Sequence, residues 1–239
     1  MLARMLDKGK FSITIASDPS SPLWASFITE GISLTPISFP APFCLGTMIQ
    51  LRRLFHDNNF HIVHSMGLRA DFHTQIAARR CRIRPVIVST IAMLANGYDV
   101  SLWRRRAYEL VEGWTTRKMD LLMTDSDYTR QALIREYTLP EAGIQTIRIG
   151  TSLASESEAA DGNLIRREWR IASGPLVASI GRLVAQKGHD VFLKAFALLR
   201  KKIPSVQAAV VGDGPLRLVL ENMASQPEMG GRGPRVSIP

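Results

Sequence analysis

Cysteine, aromatic rings and long apolar runs are all scarce in this chain, and each scarcity closes off a class of protein. Its 239 residues include two cysteines, Cys44 and Cys81, far apart and outside any paired spacing, so neither a disulfide framework nor a thiolate metal site is indicated. Aromatic residues make up 7%, too little for the stacking platform that single-stranded nucleic acid requires. No stretch approaches the roughly 18 consecutive apolar residues of a membrane-spanning helix. The most apolar run, 85–95, is short and reads as a buried strand. Asp7, Lys8 and Lys10 interrupt the apolar core that a secretory signal would need. Together these absences point to a cytoplasmic protein.

Apolar residues are plentiful. At 46% of the chain they suffice for one large α/β domain or two smaller ones. Lys and Arg total 30 against 21 Asp and Glu, a net charge of +9, which favours contact with phosphates. Basic clusters at 79–82, 104–106 and 201–202 would serve nucleic acid, an anionic membrane surface or a nucleotide diphosphate, while each cluster alone reads as a solvated helix face. No nucleic-acid module accompanies them, so a nucleic-acid partner is not expected.

Hydrophobic periodicity gives alternating strands and helices. Strands are expected at 11–16, 32–37, 61–64, 86–90, 121–124 and 146–149, with helices at 45–58, 70–80, 102–117 and 127–136. Asp125, Ser126 and Asp127 offer side-chain oxygens to cap the last of these helices. This alternation is typical of parallel sheets. Residues 151–162 then turn Ser-, Glu-, Ala- and Gly-rich without apolar period, as a linker would. Beyond them come a buried strand at 175–180, a helix at 190–202 with Phe192, Ala195, Phe196 and Leu199 on one face, a strand at 206–211 and a helix at 216–224. Gly, Pro and Arg dominate 226–239, where no core-facing pattern survives.

Two loops carry chemistry. The run Ser179-Ile180-Gly181-Arg182-Leu183-Val184-Ala185-Gln186-Lys187-Gly188 lies between a strand and a helix. In an open α/β sheet the loops at the carboxyl ends of strands border the ligand crevice, so Arg182 and Lys187 stand where an anion can be held. Gly181 permits a sharp turn, and Gly188 opens a helix whose first amides favour phosphate. A guanidinium forks onto phosphate oxygens and an ammonium adds a compact charge, a pair suited to a diphosphate. A surface loop with two solvated cations is the plainer reading of such a pair. The second loop, Val211-Gly212-Asp213-Gly214-Pro215, again follows a strand and precedes a helix. Two such loops on consecutive strand ends favour a site over a turn.

The histidines suggest a metal only superficially. His61 and His64, three apart on a strand, point to opposite faces, and with His73 they read as structural or hydrogen-bonded residues, so no metal is assigned. His189 reads as a helix-start residue rather than a catalytic base.

The run SIGRLVAQKGHDVFLKAFALLRKKIPSVQAAVVGDGP closely resembles the donor-binding half of family 4 retaining glycosyltransferases. HIVHSMGLRADF, PVIVSTIA and MDLLMTDSDYTRQAL resemble the acceptor-side half, so the likeness covers about residues 1–225. It implies a GT-B-like α/β fold with two Rossmann-like domains of parallel sheets facing a cleft. The acceptor-side domain would span 1–152, a linker 153–172 and an incomplete donor-binding domain 173–239. It implies that Arg182 and Lys187 bind the diphosphate of a sugar nucleotide. Gly181, Gly188, Gly212, Asp213 and Gly214 would line the donor pocket, and His64 would face the acceptor cleft.

The implied reaction moves a hexosyl group from a nucleoside diphosphate sugar to a hydroxyl of a lipid or polysaccharide precursor, with retention and with no cofactor beyond the donor. Departures from the family pattern temper this. The chain opens at what looks like the helix after a missing first strand and glycine-rich loop, and it stops before a paired-glutamate motif. Ala92, Met66 and Ile149 replace a frequent His, His and Asn. Little or no activity is therefore expected, and a non-catalytic nucleotide-sugar-binding fragment and a sugar-nucleotide epimerase stand as alternatives. A cut sheet would also leave an edge open to self-association, and the basic charge would suit the inner face of a membrane.

Overall fold

The computed structural model describes residues 2–79, 81–150, 162–169, 171, 174–226 and 235–237. The chain divides into two compact units, Met1–Gly150 and Thr151–Pro239. Along the first run α1 (Leu2–Met5), β1 (Thr14–Ser17), α2 (Trp24–Thr29), β2 (Ser33–Pro36), α3 (Leu45–Asn58), β3 (Ile62–Met66), α4 (Leu68–Ala78), β4 (Val86–Ile91), α5 (Leu102–Thr116), β5 (Leu121–Thr124), α6 (Asp127–Tyr137) and β6 (Ile144–Thr146). The strands form a parallel pair, β1-β2, and a parallel four-stranded ladder, β3-β4-β5-β6. A helix follows each strand from β1 to β5, which is what parallel pairing demands, because each strand must return to the same edge before the next begins.

Local signals account for these elements. Ser126 caps α6, its hydroxyl accepting from the Thr129 amide at 3.2 Å, and Thr138 ends the helix in the left-handed region. The run read as a wholly buried strand is corrected: in β4 Ile87, Ser89 and Ile91 are buried while Val86 is exposed, so one face packs and the other does not. The last strand of this unit is also earlier than expected, Ile144–Thr146 rather than 146–149, because Ile144 enters the core and Ile147 and Ile149 are exposed.

Two cores hold the unit. Ile37, Leu51, Phe55, Ala77, Ala78 and Ile87 pack where α3 and α4 cover the sheet, and Ile91, Leu94, Leu122, Leu133, Tyr137, Leu139 and Ile144 pack beneath α6. Fully burying a side chain such as Leu133 contributes on the order of 2 kcal/mol. His73 lies inside the first core. Its Nδ1 donates to the Arg69 carbonyl at 2.7 Å and its Nε2 accepts from the Cys44 amide at 3.0 Å, which ties α4 to the start of α3.

The second unit runs α7 (Gly162–Glu168), β7 (Leu176–Ile180), α8 (His189–Lys202), β8 (Gln207–Val211), α9 (Arg217–Ala224) and β9 (Arg235–Ser237), with all three strands parallel in the order β7-β8-β9. Its core joins Leu183, Leu193, Phe196, Val206, Ala208, Val210 and Leu220.

Several expectations need correction here. Of the stretch taken as a linker, 153–161 lies outside the described residues, whereas Gly162–Glu168 is helical. The strand at 175–180 is not buried, since Val177 and Ile180, which alternate onto opposite faces, are both exposed; among the described residues β7 is an edge strand of its sheet. The inward face of α8 centres on Leu193 and Phe196, with Ala195 exposed. The tail holds a third strand, β9, paired with Ala209 to Val211 of β8, so the sheet does not stop at two strands. Three residues with a single apolar member give no readable alternation. Among the described residues no helix is long and apolar enough to cross a membrane.

Candidate functional site

Both loops singled out in the sequence leave the carboxyl ends of adjacent parallel strands, and the second unit joins them through main-chain bonds. The Gly181 amide donates to the Val211 carbonyl at 2.9 Å, the Leu183 amide to the Asp213 carbonyl at 2.9 Å, and the Leu216 amide to the Leu183 carbonyl at 3.0 Å. The first loop therefore extends the ladder past the end of β7 and rides on the second.

This approach requires glycine in the second loop. At Gly212 (φ 147°) a β-carbon would fall on the Gly181 carbonyl oxygen, and at Gly214 it would sit 2.6 Å from the Leu183 carbonyl oxygen. No side chain fits at either position.

Alternation then places the cations. Leu183 is fully buried in the core of the unit, which sends the neighbouring Arg182 outward, and Arg182 is exposed. The Val184 amide closes a tight turn onto the Arg182 carbonyl at 2.9 Å, and a 3-10 turn, Ala185–Lys187, leads to Gly188 in the left-handed region. Lys187 is exposed, and its stem crosses over Gly181, Cγ and Cδ lying 3.7 Å from where a β-carbon would be. Arg182 and Lys187 thus project from one short loop, and among the described residues neither forms an ion pair. Asp213 is exposed, its carboxylate accepting from the Gly214 amide at 2.8 Å and standing 3.9 Å from Arg217.

The opening of α8 at Gly188 predicts free amides for phosphate in its first turn. Instead Asp190 occupies it: Lys194, 3.2 Å away, holds its carboxyl below the usual range, and the amides of Val191 and Asp190 itself add to the effect. A resident carboxylate at that turn opposes a second anion there.

Sequence reasoning missed how His189 is used. It is 2% exposed, its Nδ1 lies 2.9 Å from Ser179 Oγ, and its Nε2 lies 3.1 Å from the Arg182 carbonyl. Ser179 and His189 are ten residues apart on different elements, a pairing without a local sequence signal.

In the first unit three exposed apolar residues stand at or just beyond the carboxyl edge of the four-stranded ladder. Met66 ends β3 and is 69% exposed, Ala92 follows β4 and is exposed, and Ile149, beyond β6, is 76% exposed. His64 shares a hydrogen bond of 2.7 Å with Thr90 Oγ1 on β4, and burial lowers its pKa. His61 precedes β3 and His73 has both ring nitrogens engaged, so the structure does not bring the three together.

Behind this edge sit two buried carboxylates. Asp71 accepts from Ser65 Oγ at 2.5 Å and Ser89 Oγ at 2.9 Å, and burial pushes its carboxyl up to about 6. Glu112 Oε2 accepts from the Ala95 amide at 2.9 Å and from Tyr137 at 2.5 Å. Burial raises the pKa of Glu112, and burial first, then the bond to Glu112, raises that of Tyr137. Both carboxylates are used within the fold.

Comparison with known proteins places the chain. A glycosyl transferase 4-like domain matches residues 1–150, and glycosyl transferases group 1 matches 162–232. The chain belongs to the glycosyl transferase 4-like family, with a second unit that matches glycosyl transferases group 1. It is 27% identical over 149 residues to a GDP-mannose-dependent alpha-(1-6)-phosphatidylinositol monomannoside mannosyltransferase of Mycolicibacterium smegmatis, a match covering 62% of this chain and 37% of the relative. Among solved structures, HepE of Anabaena in complex with UDP and glucose superposes with a TM-score of 0.74 at 16% identity, covering 94% of this chain and 60% of that one. Sucrose-phosphate synthase of Thermosynechococcus elongatus gives 0.66 at 16% identity, covering 97% and 61%. The chain thus spans well under half the length of this curated relative. The α/β units with parallel sheets are those of the GT-B fold.

Proposed function

We propose that this chain carries the acceptor-side unit and the donor-diphosphate loop of a nucleotide-sugar-dependent hexosyltransferase that acts with retention. The observation that carries the reading is the pair of exposed cations, Arg182 and Lys187, without an ion pair among the described residues, on a loop stitched to the Gly212–Gly214 turn. When the bond between the sugar and the diphosphate breaks, the electron pair passes to a phosphate oxygen and negative charge grows there. A guanidinium and an ammonium aimed at that oxygen stabilise the transition state more than the bound donor. The nucleotide sugar is itself the reactant, and no resident cofactor is invoked.

The base of the donor is left unassigned, because the mycobacterial relative is named for GDP-mannose and HepE was solved with UDP. The acceptor is a hydroxyl of a lipid or envelope polysaccharide precursor, a reading supported by that relative's phosphatidylinositol monomannoside. A net charge of +9 suits the inner surface of an anionic membrane, and exposed Val177 and Ile180 on β7 suit self-association.

A second reading, binding without turnover, is favoured by one observation. Met66, Ala92 and Ile149 are exposed and apolar at positions where the family resemblance implies His, His and Asn. Calorimetric titration with UDP-, GDP- and ADP-sugars tests the shared part of both readings: one nucleotide class binds, and Arg182→Ala or Lys187→Ala weakens it by about tenfold or more. Failure of every class to bind overturns both. Continuous release of nucleoside diphosphate in the presence of acceptor favours transfer, and binding without release favours the second reading.

A further inference from the structure

We propose that His189 is a positioning residue for Arg182. A carbonyl oxygen only accepts, so the 3.1 Å contact between His189 Nε2 and the Arg182 carbonyl places the hydrogen on Nε2. Nδ1 is then left to accept from the Ser179 hydroxyl, 2.9 Å away on β7. Ser179 fixes the tautomer and the plane of the ring, and the ring fixes the carbonyl of the residue whose guanidinium faces solvent. The same carbonyl closes the turn with the Val184 amide. Arg182 is thus held from one side by the turn and from the other by a ring anchored in α8.

The burial of His189, 2% exposed, excludes competing water from both bonds. It also keeps the ring from reaching a ligand, so its effect passes through Arg182 alone. Lys187 is held separately, its amide donating to the Val184 carbonyl at 3.0 Å. The proposal rests on the reading of this loop as a diphosphate grip, and the test separates the two.

The test uses the full chain with UDP and GDP as probes, in wild type, His189→Phe, His189→Gln, Arg182→Ala and the His189→Phe/Arg182→Ala double variant. Phenylalanine keeps the ring and removes both bonds, whereas glutamine retains an N–H at similar reach. His189→Phe is expected to weaken binding by about tenfold in the wild-type background and not at all when Arg182 is alanine, with His189→Gln close to wild type. Equal losses in both backgrounds, or a glutamine variant as weak as phenylalanine, overturn the proposal.

Amide hydrogen exchange supplies a readout independent of nucleotide. In His189→Phe the Leu183 and Val184 amides should exchange at least about tenfold faster, with Ala209 in β8 unchanged. Unaltered exchange overturns the proposal whether or not nucleotide binds, and if His189→Phe does not fold, the same comparison is made between wild type and His189→Gln, where slow exchange must persist. If Arg182→Ala leaves affinity unchanged, the diphosphate reading fails, and the exchange data still decide the role of His189.

Discussion

The Leu183 amide donates to the Asp213 carbonyl at 2.9 Å, a bond that lies between two strand ends rather than within a strand. It joins the loop that carries Arg182 and Lys187 to the glycine turn after β8. Leu183 also fills the core of the unit, so one residue links packing to the placement of charge. Rigid loops of this kind present cations without a large ordering cost when an anion arrives.

Gly212→Ala tests that junction. The added β-carbon would collide with the Gly181 carbonyl, and the backbone there is left-handed. A destabilisation of about 2–4 kcal/mol is expected, read from urea denaturation, together with loss of nucleotide binding. Wild-type stability would show that the loops are not in contact.

Asp71 gives a pH prediction. Burial pushes its carboxyl up to about 6 from 3.8, outweighing the hydroxyls of Ser65 and Ser89. Below about pH 4 both folded and unfolded chains hold the proton. Between about 4 and 6 the unfolded chain releases it while the folded chain keeps it, so stability falls as pH rises through that window and levels off above it. The stability of wild type relative to Asp71→Asn should therefore drop by about 2–3 kcal/mol between pH 4 and pH 8. A constant difference, or one of the opposite sign, contradicts this account.

Tyr137→Phe removes one of the two donors that Glu112 Oε2 accepts from. The carboxylate is buried, and leaving it half-partnered should cost about 1–3 kcal/mol. Chemical denaturation measures this, and a change below about 0.5 kcal/mol would mean that water replaces the phenol.

Much of this architecture is legible in the sequence. The helix at Leu45–Asn58 and the strand at Leu121–Thr124 fall where periodicity places them, because their apolar spacing is long or bounded by clear stops. Ser126 caps α6 as its position before the helix suggests. The strand β9 escaped, since three residues carry no period, and β7 looked buried because an edge strand and a central one share the same apolar content.

The two cations and both glycine turns were visible as residue types at strand ends. The bonds that unite them were not, because Leu183–Asp213 and Ser179–His189–Arg182 are tertiary contacts without a spacing rule. Asp190 shows the converse: a helix start suggests an anion site until the carboxylate already there is counted.

The central claim is that Arg182 and Lys187 grip a diphosphate. The most direct test compares the affinity of the full chain for nucleoside diphosphates and monophosphates of the same base, UDP against UMP and GDP against GMP. The account predicts that the diphosphate of one base binds at least about tenfold more tightly, and that the advantage disappears in Arg182→Ala/Lys187→Ala. Equal affinity for mono- and diphosphate, or an advantage that survives the double substitution, contradicts it.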